Sequence, residues 1–142
     1  VSELEFSLNE MQRNADLAQK QITIALDVLN SMGTFDPQLS SSHHAGKAAS
    51  LIGAYRSAIH AQELYPSLPE VNEVLTKLDV EYSSRFNALA KSETLALAEV
   101  YYRALAGANL DSTNVDGLVA QFESKLTSLK ESRRRPFTIH NF

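Results

Sequence analysis

Along residues 2–32 the apolar positions Leu4, Leu8, Met11, Ala15, Ala18, Ile22, Ala25, Leu29 and Met32 are separated by steps of four and three without a break. A strand needs period two, and a solitary amphipathic helix drifts away from a strict seven-residue repeat. The pattern therefore predicts a helix, about 45 Å long, packed lengthwise against other long helices. Ser2 and Glu5 have capping-box spacing at its start, and Gly33 follows the last seam residue as a stop. Its halves differ. Around Gln12, Arg13, Asn14 and Asp16 everything off the seam is polar, whereas Ile24, Leu26 and Val28 widen the apolar stripe further on, which predicts deeper burial of the second half.

The rest of the chain supplies partners for that seam. Residues 34–42 form a loop, with Asp36-Pro37 able to make a short turn and three consecutive serines offering N-caps. A second helix is predicted over about 44–64 with the seam Ala45, Ala48, Ile52, Tyr55 and Ile59. Its small residues, Gly46 and Gly53 among them, would let a neighbouring backbone approach closely. Tyr65 before Pro66 closes it. Ser67 and Glu70 repeat the capping-box spacing with Pro69 at the first turn, so a third helix follows at once and the two form an antiparallel hairpin.

The third helix is predicted over about 69–106, with Val71, Leu75, Leu78, Tyr82, Phe86 and Leu89, then Ala96, Val100 and Ala104 on its seam. Continuing that spacing puts Glu93, inside the polar run Lys91-Ser92-Glu93-Thr94, where an apolar residue belongs. Either the helix drifts so that Ala90 and Leu97 take over the core, or it kinks near Ser92, or Glu93 sits in the seam with a raised pKa or a buried partner. Residues 107–113 form a turn. Thr113 or Asn114 caps a fourth helix whose core face is Val115, Leu118, Val119, Phe122, Leu126 and Leu129. Pro136 ends it. The expected architecture is all-α: an antiparallel up-down-up-down four-helix bundle over 1–135, followed by an extended tail at 136–142.

A chain of 142 residues, 44% hydrophobic and 21% charged, is long enough for one domain with its own core and too balanced for a disordered one. No run approaches the ~20 apolar residues of a membrane helix. The absence of cysteine removes disulfides and thiolate chemistry and leaves the compartment open. Because the chain begins at Val1 rather than Met, an N-terminal piece is missing. That piece is either a signal peptide or anchor, which would place the domain outside the cytoplasm, or a cut end.

The net charge of −4 conceals the one basic cluster, Arg133-Arg134-Arg135. Nucleic-acid binding calls for a basic face spread along an element and for stacking aromatics, so it is not expected. The three arginines fit a helix C-terminus, where cations complement the dipole, or a contact with an acidic partner or anionic lipid headgroups.

For metal chemistry, no glutamate precedes a histidine by three residues, as a di-iron carboxylate bundle requires, and there is no His-Glu-x-x-His. His60 and Glu63 lie one turn apart and share a face with Arg56, an arrangement that also suits a solvated ion-pairing face. His43 and His44 read as polar residues at a helix start. No phosphate-binding glycine loop or nucleophile elbow is present. The candidates for a buried polar site binding a metal or small ligand are therefore Glu93, helped by Tyr82, Tyr101 or His60, and the His60–Glu63 pair. No catalytic residue and no cofactor are expected.

The helix ending in Tyr65-Pro66-Ser67-Leu68, the long helix after it, and the opening Met11-Gln12-Arg13-Asn14-Ala15-Asp16-Leu17 together resemble LemA-type proteins. Where that family carries a Thr-Glu pair and an Ala-Arg-x-x-Tyr-Asn stretch, this chain has Ser83-Ser84-Arg85-Phe86-Asn87 and later Tyr101-Tyr102-Arg103. The resemblance implies a membrane anchor ahead of Val1, an extracytoplasmic helical bundle and no established enzymatic activity, and it transfers no site residue. The function expected from residues and resemblance together is a non-enzymatic interaction or scaffold domain. It would work through helix faces and the basic tail, and the narrow first half of helix 1 would either self-associate or lie against helix 4.

Overall fold

A computed structural model describes residues 2–134, and the predicted tail at 136–142 lies outside the described residues, as does Arg135. The described chain is all-helical: α1 (Glu3–Asn30), α2 (Ser41–Leu64), α3 (Pro69–Leu89), a 3-10 turn (Ser92–Thr94), α4 (Leu95–Gly107) and α5 (Thr113–Arg134). Five helices replace the four expected, because the predicted helix over 69–106 is two.

Caps account for most boundaries. Ser2 Oγ accepts from the Glu5 backbone N–H at 3.1 Å, and Ser40, first of the three serines, accepts from His43 at 3.2 Å. α1 ends at Asn30, and Gly33, at φ +73°, turns the chain away from it where a side chain would be strained. Two expected caps are displaced. Leu68, not Ser67, stands at the N-cap of α3 without a side-chain bond, with Pro69 pre-setting the first turn. At α5 the hydroxyl of Ser112, rather than Thr113 or Asn114, accepts from Val115 at 3.3 Å.

The break between α3 and α4 contains neither glycine nor proline. Lys91 is extended (φ −154°, ψ 166°), the Thr94 hydroxyl donates to the Leu89 carbonyl at 2.7 Å, and the Lys91 N–H donates to the same carbonyl at 2.8 Å. The polar run that would have been a solvated helix face instead satisfies the carbonyls of a helix end. The chain then doubles back, because Tyr82, several residues before the break, donates to the carbonyl of Tyr101, a similar distance after it, at 2.6 Å. The seam changes phase across the turn. Up to Leu89 it is buried as expected, but α4 then buries Leu95, Ala98, Tyr101 and Leu105, and Ala96 is exposed.

α2 is the central helix, in contact with α1, α3 and α4, and α5 packs on α3 and α4. Its close approaches come from alanines: Ala48, Ala54, Ala58 and Ala61 are fully buried. Gly46 and Gly53 do not have the role expected of them, since both are exposed and a Cβ on either would meet nothing within 4 Å. The core joins Ile22, Leu51, Tyr55, Leu78, Tyr82, Phe86 and Tyr101 across four helices, and Phe122 of α5 stacks on Phe86 with ring centres 4.0 Å apart. α1 joins this core only from Ala18 onward, and residues 2–13 are all exposed.

Candidate functional site

Two features stand apart from ordinary packing: a polar cluster closed inside the bundle and an apolar helix face open to solvent. The cluster is assembled from four places in the chain. His44 enters from the first turn of α2, Arg85 and Glu81 from α3, Tyr101 from α4, and Phe35 from the α1–α2 connection. His44 and Arg85 are the only charged or titratable polar side chains, tyrosines aside, that are fully buried among the described residues, at 1% and 3% exposure. His44 Nδ1 lies 2.9 Å from Tyr101 Oη, and Arg85 Nε donates to Glu81 Oε2 at 2.6 Å. Phe35 covers both, with its ring centre 5.8 Å from that of His44 and 5.4 Å from the Arg85 guanidinium carbon. Tyr82 packs edge-on against Tyr101 and bonds to its backbone, so the cluster has no slack toward the core.

Burial works against the charge on Arg85, but the Glu81 carboxylate and then the Tyr101 hydroxyl outweigh it and hold the guanidinium pKa above its ordinary value. Burial also raises Tyr101, against the pull of Arg85, and raises Tyr82, where Tyr101 adds to the effect. His44 is lowered by burial first and then by neighbouring His43, while the backbone and side chain of Asp36 pull partly back. A second buried hydroxyl, Tyr55, donates to Asp79 Oδ1 at 2.6 Å. Burial raises Asp79, and the bond from Tyr55 opposes it. With Arg85 bonded to Glu81, Tyr101 to His44, Tyr55 to Asp79 and Tyr82 to the Tyr101 carbonyl, these groups tie α2, α3 and α4 together.

The residues singled out from sequence lie elsewhere. Glu93 is exposed in the 3-10 turn, so it does not occupy the seam; the interruption falls near Ser92, as the kink reading had it, but it ends one helix and begins another instead of bending a single one. Tyr82 and Tyr101 are buried together, but His44, Arg85 and Glu81 occupy the place suggested for Glu93. His60 and Glu63 are exposed on α2, while Arg56, expected to pair beside them, donates to the Ala108 carbonyl at 3.1 Å. Among the described residues no three His, Asp or Glu side chains are grouped to hold a metal. Arg133 is exposed in the last turn of α5; the side chain of Arg134 lies outside the described residues, as does Arg135. His44, expected to be a polar residue at a helix start, is a core residue. The sequence signal that bears on it is the Phe35 upstream, an apolar residue in a loop with nothing local to cover.

The open face is the first three turns of α1. Leu4, Leu8 and Met11 are 69%, 55% and 51% exposed, in phase with Ala18, Ile22 and Ala25, which are fully buried. Phe6 is 62% exposed on the opposite side of the helix and is not part of this face. A groove of about 230 Å³ also runs between α4 and α5, where Glu99 bridges Arg103 at 3.1 Å and Lys130 at 3.0 Å. Its ion pairs satisfy one another. Among the described residues no helix is long and apolar enough to cross a membrane. No protein-family model, curated protein or solved structure matches this chain.

Proposed function

We propose that this chain is a non-enzymatic interaction domain whose contact element is the exposed first half of α1. The observation that carries the reading is the unbroken phase between Leu4, Leu8 and Met11 in solvent and Ala18, Ile22 and Ala25 in the core. A heptad seam is complementary to another helix lying nearly along it, and three turns of exposed leucine and methionine in one stripe have a cost in solubility that an isolated surface helix gains nothing by bearing. The occupant that fits is the same segment of a second copy. The positions flanking the seam are Glu5, Ser7, Gln12 and Asn14, so self-pairing sets no two like charges side by side in either orientation. A lipid surface fits less well, since Glu3, Glu5 and Glu10 lie on the same three turns.

The resemblance to LemA-type proteins extends the proposal to a domain tethered outside the cytoplasm, with Arg133 and the two arginines that follow it in sequence as a secondary contact for an acidic surface. Sedimentation of the chain, alone and as the Leu8→Asp/Met11→Asp double variant, tests the self-pairing. Concentration-dependent dimerisation that the double variant abolishes, with helicity unchanged, is the expected result. A chain that stays monomeric at high concentration removes the second copy as occupant.

A further inference from the structure

We propose that His44 is an acid-sensitive latch: its neutral imidazole pins the α1–α2 connection and the first turn of α2 onto α3 and α4, and its protonation releases them. This goes beyond the reading of α1 as a contact element and does not depend on it.

His44 has one polar side-chain partner inside the bundle, the Tyr101 hydroxyl 2.9 Å from Nδ1, and its Nε2 is buried with no hydrogen-bond partner among the described residues. In the neutral ring one nitrogen is a donor and the other an acceptor. A second proton makes both nitrogens donors: Nε2 then has no acceptor in hydrogen-bond geometry, and at Nδ1 the Tyr101 hydroxyl has to accept. The Asp36 backbone favours the added proton without making such a bond.

The charges facing His44 do not welcome a cation. On its own helix stand His43, with ring centres 5.8 Å apart, and Lys47, whose Nζ donates to the Met32 carbonyl at 2.9 Å. From α3 come Arg85 and the Glu81 carboxylate that it already occupies, and from α4 comes the Tyr101 hydroxyl. From the connection comes Asp36, whose carboxylate accepts from the Gln38 backbone N–H at 2.9 Å. Asp36 is the one group that favours the cation, and burial together with His43 and Arg85 outweighs it.

Release is local because of where the latch sits. Along α2, Tyr55 lies about three turns beyond His44, and along α3, Leu78 lies about two turns from Arg85, so both anchor the core away from the latch. The sign follows from the lowered pKa. The stability that neutral His44 confers is fully present above its unfolded value of 6.5 and is lost as the pH falls from there toward the lower folded value. Asp79 has the opposite sense, since its carboxyl is raised, and its window opens upward from 3.8. A comparison with a variant lacking only the imidazole therefore separates the two.

The test is amide hydrogen exchange of the full chain at pH about 7.5 and about 5.5, corrected for intrinsic rates. Segments covering 33–48 are expected to open up to about tenfold more at the lower pH, with the α3 segment around Leu75 and Leu78 unchanged. In His44→Asn, whose side-chain oxygen can accept from Tyr101 but which does not titrate, the ratio is expected to stay near one. Protection across 33–48 that is independent of pH in the wild type overturns the latch, as does an equal loss in the variant. If the variant does not fold, nuclear magnetic resonance titration of the His44 ring in the wild type decides: titration below 6.5 supports the latch, and titration at or above it overturns the latch.

Discussion

The two halves of α1 share one hydrophobic rhythm and meet opposite surroundings. Ala18, Ile22 and Ala25 are fully buried under α2, while Leu4, Leu8 and Met11, at equivalent heptad positions, stand more than half exposed. The buried positions are mostly alanine and the exposed ones leucine and methionine, the reverse of what side-chain size alone would suggest. Small residues are what close contact between α1 and the alanine-rich α2 requires, since helix axes approach only as far as the side chains between them allow. Large residues on the open half suit a wider separation from whatever helix meets them. Periodicity thus fixes which way a side chain points, and residue size tells how near its neighbour lies.

The largest expected effect comes from placing a carboxylate at equivalent positions of the two halves. Ile22→Asp puts an unpaired charge among fully buried neighbours and should cost about 4 kcal/mol or more, a large share of the stability of a domain of this size. Leu8→Asp, two heptads earlier at the same position, should change the stability of the monomer by less than about 0.5 kcal/mol. Urea unfolding at low protein concentration measures both, and equal costs would mean that the first half is covered in solution.

An intermediate effect tests whether the clamp of α4 on α3 is as tight as the core around Ile22. Tyr82→Phe removes the hydroxyl that donates to the Tyr101 carbonyl at 2.6 Å while keeping the ring, and should cost about 1–2 kcal/mol in the same unfolding experiment. A neutral result would show that the carbonyl's helical bond suffices.

The smallest effect has the opposite sign. Gly53 is exposed on α2 with open space where a Cβ would lie, next to the fully buried Ala54. Gly53→Ala should stabilise the protein by about 0.5–1 kcal/mol, read as a rise in thermal midpoint. Destabilisation would mean that something packs on that face in solution.

How much of this was legible in the sequence follows the same division. Seams and N-caps are local, so the phase of α1 from Ala18 onward, of α2 from Ala48 and of α3 to Leu89, and the caps at Ser2 and Ser40, could be read from spacing. The α3–α4 break could not. Lys91-Ser92-Glu93-Thr94 is compatible with a solvated helix face, and only the tertiary gain of folding Tyr101 back onto Tyr82 selects the turn, which left Glu93 as one suspicion with three readings. The candidate site was less legible still. His44 and Arg85 are separated by forty residues and acquire meaning only when Phe35 closes over both. The sequence named Tyr82 and Tyr101 as possible helpers of a buried polar group but attached them to the wrong centre.

The doubling back at the 3-10 turn also bears on how the chain reaches this fold. Each helix packs on the one that follows it in sequence, from α1 on α2 through to α4 on α5, and the turn makes a hairpin of what would have been one rod. Pairing of neighbours through short loops costs little entropy, but the contact of α2 with α4 skips a helix and exists only once the chain has reversed. A straight rod over 69–106 would hold Tyr101 far from Tyr82, so the reversal is what delivers Tyr101 to both Tyr82 and His44.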